Sequence, residues 1–192
     1  KNLFHFTMDR LLVRATDMVY GVSTPVARFY TDVVRLPRER VVTQWCGIEL
    51  SRAQAHLDWT AEQRLARREE LGIPPDAFVV GWVARPSWEK RLDILAEVVA
   101  RLVREGVPVR LRMVGRDPET EEQKQSFARF MDALERDGVA HVLMRTGFIT
   151  DVSAEYAIMD ALVQTSDYEG LPNVVIEAGA MEVPPVATDA GG

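Results

Sequence analysis

From residue 76 onward the sequence alternates short aliphatic and β-branched runs with longer segments of helical periodicity, and nothing else in the chain constrains the fold as much. Parallel strands cannot be joined by a tight turn; each needs a crossover, usually a helix, so regular strand–helix alternation signals a parallel sheet. Strands are expected over 78–83, 109–114, 139–144, 161–164 and 185–188, and helices over 89–105, 118–137, 153–158 and 172–182. The fold class is therefore α/β, a doubly wound parallel sheet with helices on both faces. Val174, Val175 and Ile176 suit a strand by composition, but Pro172 ahead of them and Glu-Ala-Gly-Ala-Met behind fit a helix.

Upstream, 3–13 reads as an amphipathic helix, 16–23 as a strand ending in a turn, and 40–44 as a second short strand. Ser23 or Thr24 is expected to cap a helix running to about Val34. Residues 50–60 look poorest in regular structure. Thr60 and Gln63 form a capping-box pattern, Gly72 with Pro74 marks a stop, and the Arg- and Glu-rich helix between them reads as a solvated connector.

Of the 192 residues, 47% are hydrophobic and 27% charged, with net charge −6, as in globular proteins and unlike a nucleic-acid surface. Cys46 stands alone, so no internal disulfide forms and a reducing compartment fits. No apolar run approaches the ~18 residues of a membrane helix, and no signal peptide is visible. A cytoplasmic location is expected, with peripheral attachment at the inner membrane face left open through segments outside this chain. His5, His56 and His141 lack metal-ligand spacing, and no metal site is expected.

Chemistry concentrates at the expected strand ends, where such sheets bind ligands. Glu169 and Glu177 are carboxylates eight positions apart, the first in a polar turn and the second inside the following helix. Pro172 suits the first helical position, which leaves the amides of Asn173, Val174 and Val175 free at a positive helix end. Phosphate between two hydroxyl-binding carboxylates suggests a nucleotide-sugar site. After the first strand come Arg85 and Lys90, two positive charges able to neutralise a diphosphate. Taken alone, they read more readily as exposed loop residues, the fate of most such side chains. Gly147-Phe148-Ile149 follows the third strand, and Phe148 by itself is as readily a core residue. Asp117, in Gly115-Arg116-Asp117-Pro118, is read as a helix cap. Trp82 is read as core, and Trp88 as a cover for a sugar or for the surface.

The block Glu169-Gly-Leu-Pro-Asn-x3-Glu177-Ala, followed by Pro185-Val-Ala-Thr-Asp-Ala-Gly-Gly192, resembles the Glu-x7-Glu motif of retaining glycosyltransferase family 4. Val83-Ala-Arg85-Pro-Ser-Trp-Glu-Lys90-Arg resembles that family's Gly-Arg-x4-Lys motif. The likeness covers roughly residues 10–192 and implies a GT-B architecture of two Rossmann-like domains, cut at both ends. It implies the end of an N-terminal, acceptor-side domain over 1–48, a connector over 49–74 and an incomplete nucleotide-sugar-binding domain over 75–192. By the same resemblance Glu169 holds the donor sugar, Glu177 the nucleotide ribose, and Arg85 and Lys90 the pyrophosphate. Gly170, Leu171, Asn173 and Val174 line the donor, and the backbone of Phe148 and Ile149 runs along the base.

The activity so implied is transfer of a sugar from a nucleotide-diphosphate donor to an acceptor hydroxyl with retention, without cofactor or metal. The donor half lies here; the acceptor is an unidentified sugar, lipid or small molecule. Two alternatives remain, a nucleotide-binding or regulatory GT-B module without transferase activity and a GT-B nucleotide-sugar epimerase. The chain departs from the family pattern at Gly115-Arg116-Asp117-Pro118, where a Gly-Asp-Gly-Pro-like turn is frequent, and in four other places. Ala84 replaces a Gly, and Trp45-Cys46-Gly47-Ile48-Glu49 stands where Asn-Gly-Val-Asp is usual. Met181-Glu182-Val183-Pro184 replaces Ala-Cys-Gly-Leu-Pro, and Gly179 replaces a frequent Met, which suggests close packing there.

Overall fold

The structure is a computed structural model that describes residues 7–8, 11–13 and 15–192. The helix expected over 3–13 lies largely outside the described residues. Contacts divide the chain into two compact units, one of residues 1–47, 168–172 and 189–192, the other of 48–167 and 173–188.

In the first unit β1 (Val19–Gly21) pairs in parallel with β2 (Val41–Thr43), and α1 (Thr24–Asp32) connects them over a small core of Val13, Val34 and Leu36. Both strands are shorter than expected. Ser23 occupies the N-cap, but its side chain makes no capping bond and its buried hydroxyl has no partner among the described residues. Its carbonyl takes the Ala27 N–H at 2.9 Å instead. A Cβ on Gly21 would lie 2.6 Å from the Ala27 nitrogen, so only glycine lets the helix start this close to the strand.

The second unit opens with α2 (Leu50–Leu57), where irregular chain was expected. Its N-cap, Glu49, makes no side-chain cap, so the local start signal is missing and the helix depends on tertiary contacts. Next comes α3 (Ala61–Glu70), whose Thr60–Gln63 capping box is formed in both directions. This helix is more than a solvated connector. Arg68 donates to the Ile158 carbonyl at 3.0 and 2.7 Å and pairs with Asp160 at 2.9 Å.

The alternation then unfolds as β3 (Phe78–Val83), α4 (Leu92–Arg104), β4 (Val109–Val114), α5 (Glu121–Arg136) and β5 (Leu143–Gly147). It continues as α6 (Ser153–Tyr156), β6 (Ala161–Gln164), α7 (Asn173–Ala180) and β7 (Pro185–Ala187). All five strands are parallel in the order β5-β4-β3-β6-β7, as the fold class requires. Side chains alternate across the sheet. Val80, Trp82, Leu111 and Met113 join α4 and α5 in one core; Val79, Val114 and Leu162 join α6 and α7 in the other.

Boundaries moved where capping chemistry was misread. The N-cap of α5 is Thr120, in a capping box with Gln123, so Asp117 lies outside the helix and pairs with Arg145 instead. The strand expected from 139 begins only at Leu143. Gly138 takes φ +71°, its N–H donates to the Glu135 carbonyl, and that of Val139 donates to Leu134 at 2.8 Å. This is a Schellman close, so the buried aliphatic Val139 seals α5 rather than starting a strand. The same motif ends α7, with Val183 bonded to the Ala178 carbonyl at 2.8 Å and Glu182 at φ +57°. Glu182 thus holds the left-handed position of the family's Gly, at a cost of about 1 kcal/mol. Pro172 sits one residue before α7, not within it. A Cβ on Gly179 would meet nothing within 4 Å, so close packing does not explain that glycine.

Candidate active site

Strand order reverses between β3 and β6, and the loops leaving their carboxyl ends are tied together. Thr165 donates its hydroxyl to the Lys90 carbonyl at 2.7 Å, and the Asp167 N–H donates to the Glu89 carbonyl at 2.8 Å. Arg91 bridges the two loops, with Nη1 2.6 Å from Asp167 and Nη2 2.8 Å from Asp93. Those partners, the hydrogen bond to Asp93 foremost and that to Asp167 next, raise the guanidinium's pKa further. The same contact with Arg91 holds the Asp93 carboxyl below its ordinary range. Arg91 itself adopts φ +46°, a left-handed conformation costly for a side-chain-bearing residue.

This arrangement explains why the expected helix over 89–105 starts late. Residues 88–90 form a single 3₁₀ turn, Arg91 reverses the backbone, and α4 begins at Leu92. Pro86 and Ser87 are buried at the base of the loop, whereas Arg85 is exposed and its guanidinium has no ion pair among the described residues. Lys90 is half-buried. Trp88 is 53% exposed, its backbone N–H held by Glu122 at 2.7 Å, while Trp82 is buried in the core.

Gly115 follows β4 and lies against this loop. A Cβ there would fall 1.9 Å from the Ala84 carbonyl oxygen, so glycine is required for the loops to approach. Phe148, past the end of β5, is not core: it is 61% exposed and lies under the Arg116 guanidinium at 4.4 Å. Ile149 packs against the α6–α7 core.

The second carboxylate of the motif, Glu177, stands on α7. Its Oε2 accepts the Tyr156 hydroxyl at 2.8 Å, and Oε1 has no partner among the described residues. Both residues line a cavity of about 150 Å³ with Ile48, Glu49, Asp151 and Met181. Burial first, and the adjacent Glu177 second, push the Tyr156 phenol up, so it stays a donor. The amides of Asn173, Val174 and Val175 open α7 with no acceptor among the described residues.

Glu169, Gly170 and Leu171 belong to the first unit. The Glu169 N–H donates to the Ala190 carbonyl at 2.9 Å, and a Cβ on Gly192 would sit 2.9 Å from Pro172 and 3.0 Å from the Gly170 oxygen. Ala190 and Gly192 therefore clasp the turn that carries Glu169. Arg85, Lys90, Phe148, Ile149, Asn173, Val174 and Glu177 belong to the second unit. Sequence reasoning missed Tyr156, Arg91 and Asp167, whose roles come from contacts distant in the chain.

A parallel sheet of this order, with charged loops at its switch point, is a doubly wound α/β domain whose crevice lies beyond the carboxyl ends of its strands. The chain belongs to the family described as Glycosyl transferases group 1, whose profile matches residues 77–192. It is 28% identical over 185 residues to EpsF of Bacillus subtilis (strain 168), covering 94% of this chain and 44% of that protein. It is 32% identical over 134 residues to D-inositol 3-phosphate glycosyltransferase of Saccharomonospora viridis, covering 67% of this chain and 31% of that enzyme. The chain thus spans less than half the length of these relatives. Anabaena HepE, solved with UDP and glucose, superposes with a TM-score of 0.87 at 21% identity, over 100% of this chain and 50% of HepE. WaaG, a glycosyltransferase of lipopolysaccharide biosynthesis, gives 0.75 at 20% identity, over 99% of this chain and 52% of WaaG. The fold is that of the GT-B glycosyltransferases.

Proposed function

We propose that this chain is the donor-binding part of a retaining glycosyltransferase that uses a nucleotide-diphosphate sugar. The observation that carries the reading is the paired construction of the second unit. Arg85 and Lys90 stand on a loop braced at the switch point, and Glu177 is held with one carboxylate oxygen open. Two cations suit a pyrophosphate; an open carboxylate oxygen suits a ribose hydroxyl. The family membership and the UDP and glucose bound in HepE support a nucleotide-sugar donor.

In this reading Glu177 takes the ribose, the first-turn amides of α7 (Asn173, Val174) face phosphate, and Gly170 and Leu171 line the donor. Glu169 orients the donor sugar, and the backbone of Phe148 and Ile149 runs along the base. The acceptor hydroxyl attacks the anomeric carbon from the face on which the diphosphate departs. As the carbon–oxygen bond to phosphate breaks, the leaving phosphate oxygen takes the acceptor's proton, so configuration is retained without a covalent enzyme intermediate or a metal. Residues 1–48 close an acceptor-side domain, 49–74 connect, and 75–192 bind the donor. The protein acts in the cytoplasm on a sugar, lipid or small-molecule acceptor.

Lys90→Ala tests the reading in the protein that carries this chain, assayed for transfer from UDP-glucose and related donors. Loss of leaving-group stabilisation lowers the rate by about 10²–10³. Unchanged turnover, or a glycosyl group trapped covalently on Glu169 by mass spectrometry, contradicts it.

A further inference from the structure

The four-residue helix α6 is too short to hold itself, yet three of its four side chains are buried polar groups anchored in three directions. Glu155 forms a two-point ion pair with Arg112 on β4, at 2.6 and 3.2 Å. The Ser153 hydroxyl lies 2.6 Å from Asp151 and 2.8 Å from Nδ1 of His56 on α2. A hydroxyl has one proton, and a carboxylate at that distance must receive it, so Nδ1 of His56 is the donor to Ser153. The third anchor is Tyr156, 1% exposed, whose hydroxyl reaches Glu177 at 2.8 Å and only grazes the Val174 carbonyl at 3.5 Å.

We propose that Tyr156 is the positioning residue for Glu177. It fixes one carboxylate oxygen so that the other presents to the ribose diol in a single orientation, and α6 is the block that holds it there. The inference rests on the reading of Glu177 as the ribose-binding carboxylate. The geometry favours positioning over simple core filling. A phenylalanine would fill the same space, and the phenolic oxygen spends its one proton on the motif carboxylate rather than on the weaker carbonyl contact. Glu177 has three side-chain torsions, the carboxylate rotation included, to fix on binding; the tyrosine bond restricts them beforehand, and that pre-organisation appears as affinity for the 2′-hydroxyl.

The test is titration of the protein with UDP, GDP and ADP and, for whichever binds, with its 2′-deoxy counterpart, on wild type, Tyr156→Phe, Glu177→Ala and the double variant. Wild type prefers the ribonucleotide. Glu177→Ala abolishes that preference, and Tyr156→Phe reduces it by about tenfold, the scale of one charge-assisted hydrogen bond, at a near-native melting temperature. The double variant loses no more than Glu177→Ala, because the tyrosine acts only through the carboxylate. If Glu177→Ala removes the preference and Tyr156→Phe keeps it in full, the positioning role is overturned while the ribose reading stands. If wild type binds no nucleotide, or Glu177→Ala leaves the preference intact, the ribose reading fails and the inference falls with it.

Discussion

The two sides of the candidate donor site in the second unit are built by opposite means. Around Arg91 the braces are ion pairs at the surface, with side chains 35% exposed on Arg91, 65% on Asp93 and 40% on Asp167. Around α6 the braces are interior, with the Arg112 and Glu155 side chains only 9% and 5% exposed. Surface pairs are screened by water and salt and are worth little individually; buried ones stand in a low dielectric, where losing one partner strands a charge. The difference matches what each side does in the account. A diphosphate that arrives and leaves needs cations that remain solvated, whereas recognition of a ribose needs a carboxylate that does not move.

The contrast can be broken at its strong end first. Glu155→Ala leaves Arg112 buried and alone, and urea unfolding should show a loss of about 3–5 kcal/mol. A loss below about 1 kcal/mol would mean that water reaches the pair and that the two sides are not different in kind. Gly115→Ala forces a Cβ onto the Ala84 carbonyl and should cost about 1–3 kcal/mol by the same measurement, because the obstacle is backbone and cannot rotate away.

Alkaline pH gives a third handle. The Tyr156 pKa is raised in the folded protein, so its contribution is complete below the unfolded tyrosine value and is lost as pH rises beyond it. Above pH ~10 the unfolded chain ionises this tyrosine while the folded one does not. Stability should then fall by up to about 1.4 kcal/mol per pH unit from this group, and the fall should shrink in Tyr156→Phe. The smallest effect belongs to the exposed side. Asp167→Asn removes one surface pair and should cost no more than about 1 kcal/mol, an effect that fades in 1 M salt. If instead it costs as much as Glu155→Ala, the Arg91 bridge is structural in its own right.

Most of the sheet was legible because it is carried by local signals: aliphatic runs of strand length, crossover helices between them, and the Thr60–Gln63 capping box. The same local logic failed where two signals compete. Val139 and Val142 have strand composition, but Gly138 turns the chain into a helix close, and the seal needs an aliphatic residue there. α2 was invisible because it has no cap and its contacts lie about a hundred residues away, as between His56 and Ser153. In the site, the positions of Arg85 at a strand end and Glu177 within a helix could be read from the chain, since both follow from the order of elements. What braces them could not. Arg91 to Asp167 and Tyr156 to Glu177 are pairings of tertiary structure with no spacing rule, and Phe148, an even choice between core and surface, was decided by the Arg116 guanidinium above it.

In the proposed reading the loop cations and the α7 carboxylate hold one nucleotide between them. Calorimetric titration of the protein with UDP, GDP and ADP, repeated on Lys90→Ala and Glu177→Ala, tests it most directly. The account predicts that one of the three binds and that each substitution weakens it. A folded wild-type protein that binds none of them, or variants that both bind as wild type does, would contradict it.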